Sequence, residues 1–280
     1  MRVRQLESLL SDVAPFAAPK QALEQYPTNP ELAAGALHHA RAFGDVEDRF
    51  VVDLGVGTGM LSIAASLCGA GHVLGVDVDE EALETCRENC AAFEPALEVE
   101  LVRANVATLG RSWGDGRASE GPGGGHASAS TSEGAGARRR WTCDTVLMNP
   151  PFGTRRAGAD VAFLRAAFRI ATGAIYSFHK SSTREHIKRV ALTRFGASEA
   201  EVLAQLKYDL PATYAHHREK SVEIAVDLWR FVPGANGFPD DEDGEDGEEG
   251  ADAPDLARAF ASKVRVGGGR RGRGAPRGRR

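Results

Sequence analysis

The 280-residue sequence lacks several features that mark whole classes of protein. It contains no run of roughly 18 or more apolar residues, so it predicts no membrane-spanning helix. Residues 1–7 lack the apolar core of a secretory signal peptide. The four cysteines, Cys68, Cys86, Cys90 and Cys143, form no C-x-x-C pair, so we predict buried, reduced thiols and no metal site. These absences favour a cytosolic or nuclear protein that does not associate with a membrane.

A generally basic surface is absent too, because the net charge is −5. The charge is nevertheless unevenly distributed. Residues 1–110 contain 7 Lys and Arg against 17 Asp and Glu, whereas residues 149–237 contain 13 against 8. This asymmetry favours a polyanion bound to the second half of the chain, although an ordinary solvated surface would give the same counts.

Composition divides the chain into three predicted parts. Residues 1–48 form a helical cap, and residues 49–232 alternate apolar strands with helices, which indicates one α/β domain. Within that domain, about 111–140 is rich in Gly, Ser, Ala and Arg, and we predict a disordered insertion there. Residues 233–280 are predicted to be a disordered tail that is first acidic and then rich in Arg and Gly.

Two helices are predicted in the cap, over residues 1–24 and over Glu31–Phe43. The link between them contains Pro27 and Pro30, which make it rigid and non-helical. From the residues alone, the link is most simply a connector between helices.

Seven strands are predicted in the α/β domain, and their bounds are Phe50–Leu54, His72–Val76, Leu97–Val102, Thr145–Met148, Ala174–Phe178, Glu199–Tyr208 and Val222–Phe231. The last two are the longest, and we expect them to form an antiparallel pair. A mostly parallel sheet that ends in this pair is the predicted architecture.

A glycine-rich turn, Gly55-Val56-Gly57-Thr58-Gly59, joins the first strand to an apolar helix that starts at Met60. Such a turn lets a ligand approach the backbone at the positive end of a helix. The second strand ends at Asp77, 18 positions after Gly59, where an acidic side chain can bind two ribose hydroxyls. The spacing G-x-G-x-G differs from the dinucleotide fingerprint, so a nicotinamide cofactor is disfavoured.

The fourth strand ends at Asn149-Pro150-Pro151-Phe152, and parallel sheets carry their chemistry at this end. The Asn149 side-chain oxygen and the Pro150 carbonyl are two acceptors that can bind both hydrogens of a planar amino group. Phe152 offers an aromatic face for a flat ring. Taken alone, the motif is equally a Pro-Pro turn that ends a strand. Together with the glycine turn and Asp77, it indicates a catalytic site.

These motifs resemble the S-adenosylmethionine-dependent methyltransferases, whose cofactor loop D-x-G-x-G-x-G begins here at Asp53. The resemblance implies an α/β, Rossmann-like, seven-stranded class I fold. The chain is also similar to the methyltransferase-like protein 5 family of 18S ribosomal RNA adenosine-N6 methyltransferases, over residues 1–110 and 141–232. The segments that carry this second resemblance are LEQYPTNP, DLGVGTGMLSIA, GVDVDEEALE, MNPPFGT, YSFHKSSTREH, YDLPATY and KSVEIAVDL.

The family resemblance implies methyl transfer from S-adenosyl-L-methionine to N6 of an adenosine in 18S rRNA, with the target base held by Asn149–Phe152. It also implies a set of cofactor-binding residues: Gln25 and Thr28 at the methionine end, Asp53, Gly55, Gly57, Thr58, Gly59 and Met60 at the loop, Asp77 at the ribose, and Asn105 and Val106 at the adenine. The chain departs from the family pattern at Asn105, where many relatives have Asp, and at Val56 and Thr58, where cysteines are common.

Partners and location are implied in the same way. The resemblance predicts a heterodimer with a small zinc-binding activator protein of the Trm112 type, and a location in the nucleus (nucleolus) and the cytoplasm. Lys180, Arg155, Arg156 and the His216–Lys220 loop are candidate contacts for RNA phosphates or, equally, plain surface charge. Two other functions stay open: a protein glutamine-N5 methyltransferase, because a glutamine amide also presents a planar amino group, and a non-catalytic ribosome-assembly scaffold.

Overall fold

The computed structural model describes residues 1–109, 141–153, 155–211, 221–235 and 238. The predicted insertion, the His216–Lys220 loop and most of the predicted tail lie outside the described residues. Within the described residues the chain forms seven strands: β1 Phe50–Leu54, β2 His72–Asp77, β3 Glu100–Arg103, β4 Cys143–Met148, β5 Ala171–Lys180, β6 Ala197–Pro211 and β7 Ser221–Pro233. The same described residues form six α-helices: α1 Val3–Leu10, α2 Pro30–Ala42, α3 Met60–Leu67, α4 Glu80–Ala91, α5 Ala159–Ile170 and α6 Arg184–Thr193.

The strands build one mixed sheet in the order β3-β2-β1-β4-β5-β7-β6. The first five strands in this order are parallel, and β7 runs antiparallel to both β5 and β6. The predicted architecture is therefore confirmed. In the interior strand β1, residues 51–54 are all buried, as expected when both faces of a parallel sheet are covered.

The N-terminal helix is shorter than the sequence predicted. α1 ends at Leu10, and the next helical turn is a short 3-10 helix at Gln21–Leu23. Pro15 and Pro19 lie between them, and proline removes a helical N–H donor and clashes with the preceding turn. Since Leu10 is fully buried in the main hydrophobic core, α1 anchors the segment that follows it.

The start of α2 is set by local chemistry. The Asn29 side chain accepts hydrogen bonds from the backbone N–H groups of Glu31 and Leu32, at 2.7 and 3.3 Å. Pro30 occupies the first helical position, where its missing N–H costs nothing. The Asn29 side chain and Pro30 therefore fix the point at which the link ends and α2 begins.

The HKSSTREH segment is fixed to the sheet by one buried carboxylate, Asp227 of β7. The Arg184 guanidinium donates to both Asp227 oxygens at 2.7 Å, and the Ser181 hydroxyl donates to it at 2.6 Å. A bidentate pair of this kind fixes orientation as well as distance. The Arg184 and Ser181 contacts keep the pKa of Asp227 below its ordinary value, although its burial opposes them.

Two predictions from composition can be compared directly with the structure. All four cysteines are buried free thiols, as predicted. Among the described residues, no helix has the length and apolar character needed to cross a bilayer.

Candidate active site

A cavity of about 290 Å³ lies beside the carboxyl ends of β1, β2 and β4. These strands are neighbours in parallel register, so Leu54 lies opposite Val76 on one side and Met148 on the other. The residues after these ends therefore meet at one edge of the sheet, as the general rule for open α/β sheets requires. Most predicted site residues line the cavity: Gln25, Thr28, Asp53, Gly55, Gly57, Thr58, Met60, Asp77, Asn105, Val106, Asn149 and Pro151.

Three predicted site residues lie outside the cavity wall. Gly59 caps the start of α3 in a left-handed conformation, with φ 95°. Pro150 is buried and lies in the chain between the wall residues Asn149 and Pro151. Phe152 is 7% exposed and packs within the hydrophobic core, so its stacking against a target base stays a prediction.

Glycine is required in the turn after β1 because the backbone there adopts positive φ and neighbours pack closely. Gly57 has φ 53°, and a Cβ added to it would lie 2.9 Å from the Phe16 ring. Phe16 therefore covers this turn from the N-terminal segment. The Gly57 N–H donates to Asp77 Oδ2 at 2.9 Å, and this hydrogen bond joins the turn to the end of β2.

Replacing Gly59 with alanine is expected to destabilise the protein by roughly 2–4 kcal/mol. The new Cβ would lie 2.6 Å from Cys86 Sγ, at a φ of 95° that alanine adopts at a cost. Urea unfolding monitored by circular dichroism measures the change. Gly35→Ala is the matched control, because nothing lies within 4 Å of its added Cβ inside α2. The control should gain about 1 kcal/mol from helix propensity, and equal behaviour of the two variants would contradict this account.

The Asp77 carboxylate is held by two backbone N–H groups. Its Oδ2 accepts from the Gly57 N–H and its Oδ1 accepts from the Asp79 N–H, at 2.9 and 3.0 Å. Burial raises the pKa of Asp77, and these backbone N–H groups act against that rise. Each carboxylate oxygen can accept a second hydrogen bond, which leaves two acceptor sites at the cavity wall.

Asp53 lies deeper and is almost completely buried, with 1% exposure. Its Oδ2 accepts from the Ser62 hydroxyl at 2.8 Å. Burial raises the pKa of Asp53 to about 7, and the Ser62 hydrogen bond only partly offsets this. A carboxyl group that titrates near neutral pH therefore lies beside the glycine turn.

Because the pKa of Asp53 is raised in the folded protein, the free energy of unfolding should fall as the pH rises from about 4 to about 7. The unfolded-state pKa is 3.8 and the folded-state value is about 7, so the folded protein binds the extra proton in this window. Asp53→Asn should remove a slope on the order of 1 kcal/mol per pH unit. Urea unfolding of the cofactor-free protein at several pH values measures it. Asp12→Asn, at an exposed carboxylate, should keep the wild-type slope; a wild-type slope in Asp53→Asn would refute the assignment.

The N-terminal link forms one wall of the cavity. Gln25 Nε2 donates to Asp79 Oδ2 at 2.7 Å, and Gln25 Oε1 accepts from the Lys20 N–H at 2.7 Å. Lys20 Nζ in turn donates to Asp79 Oδ1 at 2.6 Å. The link is thereby fastened to the start of α4. The interpretation from residues alone, a simple connector, is wrong because Gln25 and Thr28 line the cavity.

Asn149 carries the most informative polar atom of the site. Its Nδ2 donates to the Thr28 hydroxyl at 3.0 Å, which orients the amide. Its Oδ1 is buried and has no hydrogen-bond partner within the part of the chain that the structure describes. Buried acceptors are nearly always paired, so this oxygen indicates a ligand N–H that enters the cavity.

Another part of the cavity wall is formed by the segment after β3. Asn105 begins a short 3-10 helix, Val106–Thr108, and its side chain accepts from the Ala107 N–H at 3.0 Å. Asn105 and the buried Val106 both line the cavity, beside the half-exposed Val78. An apolar slot with an amide at its edge suits a flat heterocycle that carries an amino group.

The wall residues that sequence reasoning did not assign to the site include Phe16, Glu24 and Phe163. Phe163 lies in α5, and its ring packs against Gly55. Phe16 belongs to no motif, so nothing in the sequence indicated it. Glu24 lies inside LEQYPTNP, and this was the one available signal.

Comparison with known proteins places the chain among methyltransferases. The family model of the ribosomal protein L11 methyltransferase (PrmA) matches residues 34–109. That segment contains the glycine turn and Asp77 but stops before Asn149. The crystal structure of PH1948 from Pyrococcus horikoshii matches with a TM-score of 0.65 and 31% identity, over 84% of this chain and 98% of that chain.

Two curated relatives match over nearly their whole length. The Danio rerio protein named rRNA N(6)-adenosine-methyltransferase METTL5 is 40% identical over 235 residues, which is 83% of this chain and 100% of the relative. The Drosophila melanogaster protein of the same name is 41% identical over 236 residues, 84% of this chain and 98% of the relative. The chain therefore belongs to the METTL5 family of rRNA N(6)-adenosine-methyltransferases.

Proposed function

We propose that this protein methylates N6 of an adenosine in the 18S rRNA of the small ribosomal subunit. The observation that carries the proposal is Asn149 Oδ1, a buried and unsatisfied acceptor in the wall of the cavity, within the described residues. An exocyclic amine supplies the N–H donor that this oxygen needs. The names of the relatives, which specify rRNA and the N6 position, support the choice of substrate.

The cavity fits S-adenosyl-L-methionine, which supplies an electrophilic methyl group when it is bound. The Asp77 oxygens offer acceptors for two ribose hydroxyls, and Asn105 and Val106 offer a slot for the adenine. Gln25 and Thr28 would lie along the methionine end. The charges of the cavity complement those of the cofactor. Three carboxylates and one guanidinium line the cavity, and the cofactor carries two positive groups and one negative group.

The chemical work of the chain is to hold and orient the target nitrogen. The N6 amine is a poor nucleophile because its lone pair is delocalised into the ring. Hydrogen bonds to Asn149 Oδ1 and to the Pro150 carbonyl would favour a pyramidal nitrogen with its lone pair directed at the methyl carbon. Thr28 holds the Asn149 amide in that orientation. No side chain has to remove a proton beforehand, because the nitrogen becomes acidic as its new bond forms.

A protein glutamine-N5 methyltransferase would use the same acceptors. The similarity to the L11 methyltransferase family does not support this alternative, because the matched residues 34–109 exclude Asn149 and everything after it. The whole-length relatives support RNA instead.

Incubation with methyl-labelled cofactor separates these functions. We expect label in small-subunit rRNA, recovered as N6-methyladenosine after digestion. We expect no label in a peptide from a peptide-release factor that contains the candidate glutamine. Label in the peptide alone would contradict the proposal in favour of the glutamine enzyme. Label in neither substrate, with rRNA still bound, would contradict it in favour of the scaffold.

A Trm112-type activator is proposed as the partner, and the nucleolus and cytoplasm as the locations. The outermost strand β3 supports the partner: within the described residues it pairs only with β2, and a free edge can accept another strand. Arg156, which lines the cavity, is a proposed contact for the RNA backbone.

A further inference from the structure

Glu24 is a buried carboxylate with no assigned role. It is 6% exposed, it lines the cavity, and it adopts a left-handed backbone conformation with φ 51°. A positive φ is uncommon outside glycine, and a buried carboxylate is costly unless it is paired. The fold therefore keeps an unfavourable residue at this position.

Only half of this carboxylate has a partner. Glu24 Oε1 accepts from the Arg155 N–H at 2.7 Å, in the loop that follows Phe152. Glu24 Oε2 is buried and has no hydrogen-bond partner among the residues that the structure describes. The first contact fixes the position of the carboxylate, and the second oxygen is left to accept from a ligand.

The neighbouring polar side chains are already engaged. Gln25 is held by Asp79 and by the Lys20 N–H, and the Thr28 hydroxyl is held by Asn149. In the 24–28 segment, Glu24 Oε2 is thus the buried side-chain oxygen without a hydrogen-bond partner among the described residues. A negatively charged acceptor is free at the end of the cavity where the methionine portion is expected.

We propose that Glu24 Oε2 binds the ammonium group of the cofactor's methionine portion. This inference rests on the proposed use of S-adenosyl-L-methionine. The sulfonium carries no N–H or O–H donor. Asp77 provides for the ribose, Asn105 for the adenine amine and Asn149 for the target amine. The ammonium is the remaining donor group, and its positive charge matches the carboxylate.

Glu24→Gln tests this by calorimetric titration of the full chain. Glutamine keeps an oxygen for the Arg155 N–H and removes only the charge. Affinities for S-adenosylmethionine and S-adenosylhomocysteine, which both carry the ammonium, should fall at least about tenfold. Affinity for 5′-methylthioadenosine, which lacks the amino acid, should stay unchanged. Glu88→Gln, at an exposed glutamate of α4, is the matched control and should bind all three ligands like the wild type.

An unchanged affinity for S-adenosylmethionine in Glu24→Gln would overturn the proposal. An equal loss for 5′-methylthioadenosine would also overturn it, because the effect would then be on the shape of the cavity. A titration of the wild type tests the proposal even if the Glu24→Gln variant does not fold. A deaminated analogue of S-adenosylhomocysteine should bind the wild type at least about tenfold more weakly than the parent compound, and equal binding refutes the assignment. These titrations contain no RNA, so an error about the RNA substrate would leave their results unchanged.

Discussion

Asn149→Ala is expected to slow methyl transfer to 18S rRNA by about 10²–10³-fold, while the affinity for S-adenosyl-L-methionine stays close to that of the wild type. Alanine removes Asn149 Oδ1, a buried acceptor without a partner among the described residues, which we propose binds the target amine, and it leaves the residues proposed for the ribose and the adenine in place. The loss should therefore fall on the rate of the bound complex. Single-turnover transfer of labelled methyl to saturating rRNA, beside a cofactor titration, measures both quantities.

Thr28→Val is the matched comparison for Asn149→Ala. It removes the hydroxyl that holds Asn149 Nδ2 but leaves Oδ1 in place. We expect a loss of about 10-fold in single-turnover rate, since orientation is weakened and the acceptor survives. If Asn149→Ala retained the wild-type rate, or lost its activity only through failure to bind the cofactor, the role assigned to Asn149 would be wrong.

Asp77→Ala should weaken S-adenosyl-L-methionine binding by about 100-fold or more. The variant loses the two carboxylate acceptors that we propose for the ribose. It also releases the Gly57 and Asp79 N–H groups, which Asp77 holds at 2.9 and 3.0 Å. The glycine turn is then less well ordered before any ligand arrives. Calorimetry measures the affinity, and circular dichroism verifies that the fold survives.

The exposed carboxylate Asp12 provides the control for Asp77. Asp12→Ala makes the same chemical change away from the cavity and should bind the cofactor like the wild type. If Asp77→Ala bound the cofactor as tightly as Asp12→Ala, the ribose would have to lie elsewhere.

Local patterns were enough to predict the sheet and much of the cavity. The alternation of apolar strands and helices predicted the seven strands, and each of Gly55, Asp77 and Asn149 directly follows a predicted strand. In a parallel sheet, neighbouring strand ends meet, so these three residues could be placed together without coordinates. Residue chemistry then favoured an amine over other ligands.

Long-range packing was beyond the reach of these patterns. The covering of Gly57 by Phe16 and the contact of Glu24 with the Arg155 N–H join positions that are far apart in the chain. The helical pattern of residues 1–24 also misled, since Pro15 and Pro19 outweigh the apolar spacing. The sequence also did not indicate that Phe152 packs within the hydrophobic core. Whether a side chain faces the core or the cavity depends on partners that periodicity does not specify.

Mapping N6-methyladenosine in 18S rRNA tests the central claim most directly. Cells of the source organism without this protein would be complemented with either the wild type or Asn149→Ala. We predict one adenosine that is methylated with the wild type and unmethylated both with Asn149→Ala and without the protein. Methylation of the same site by Asn149→Ala, or an 18S rRNA whose N6-methyladenosine is unchanged when the protein is absent, would contradict the account.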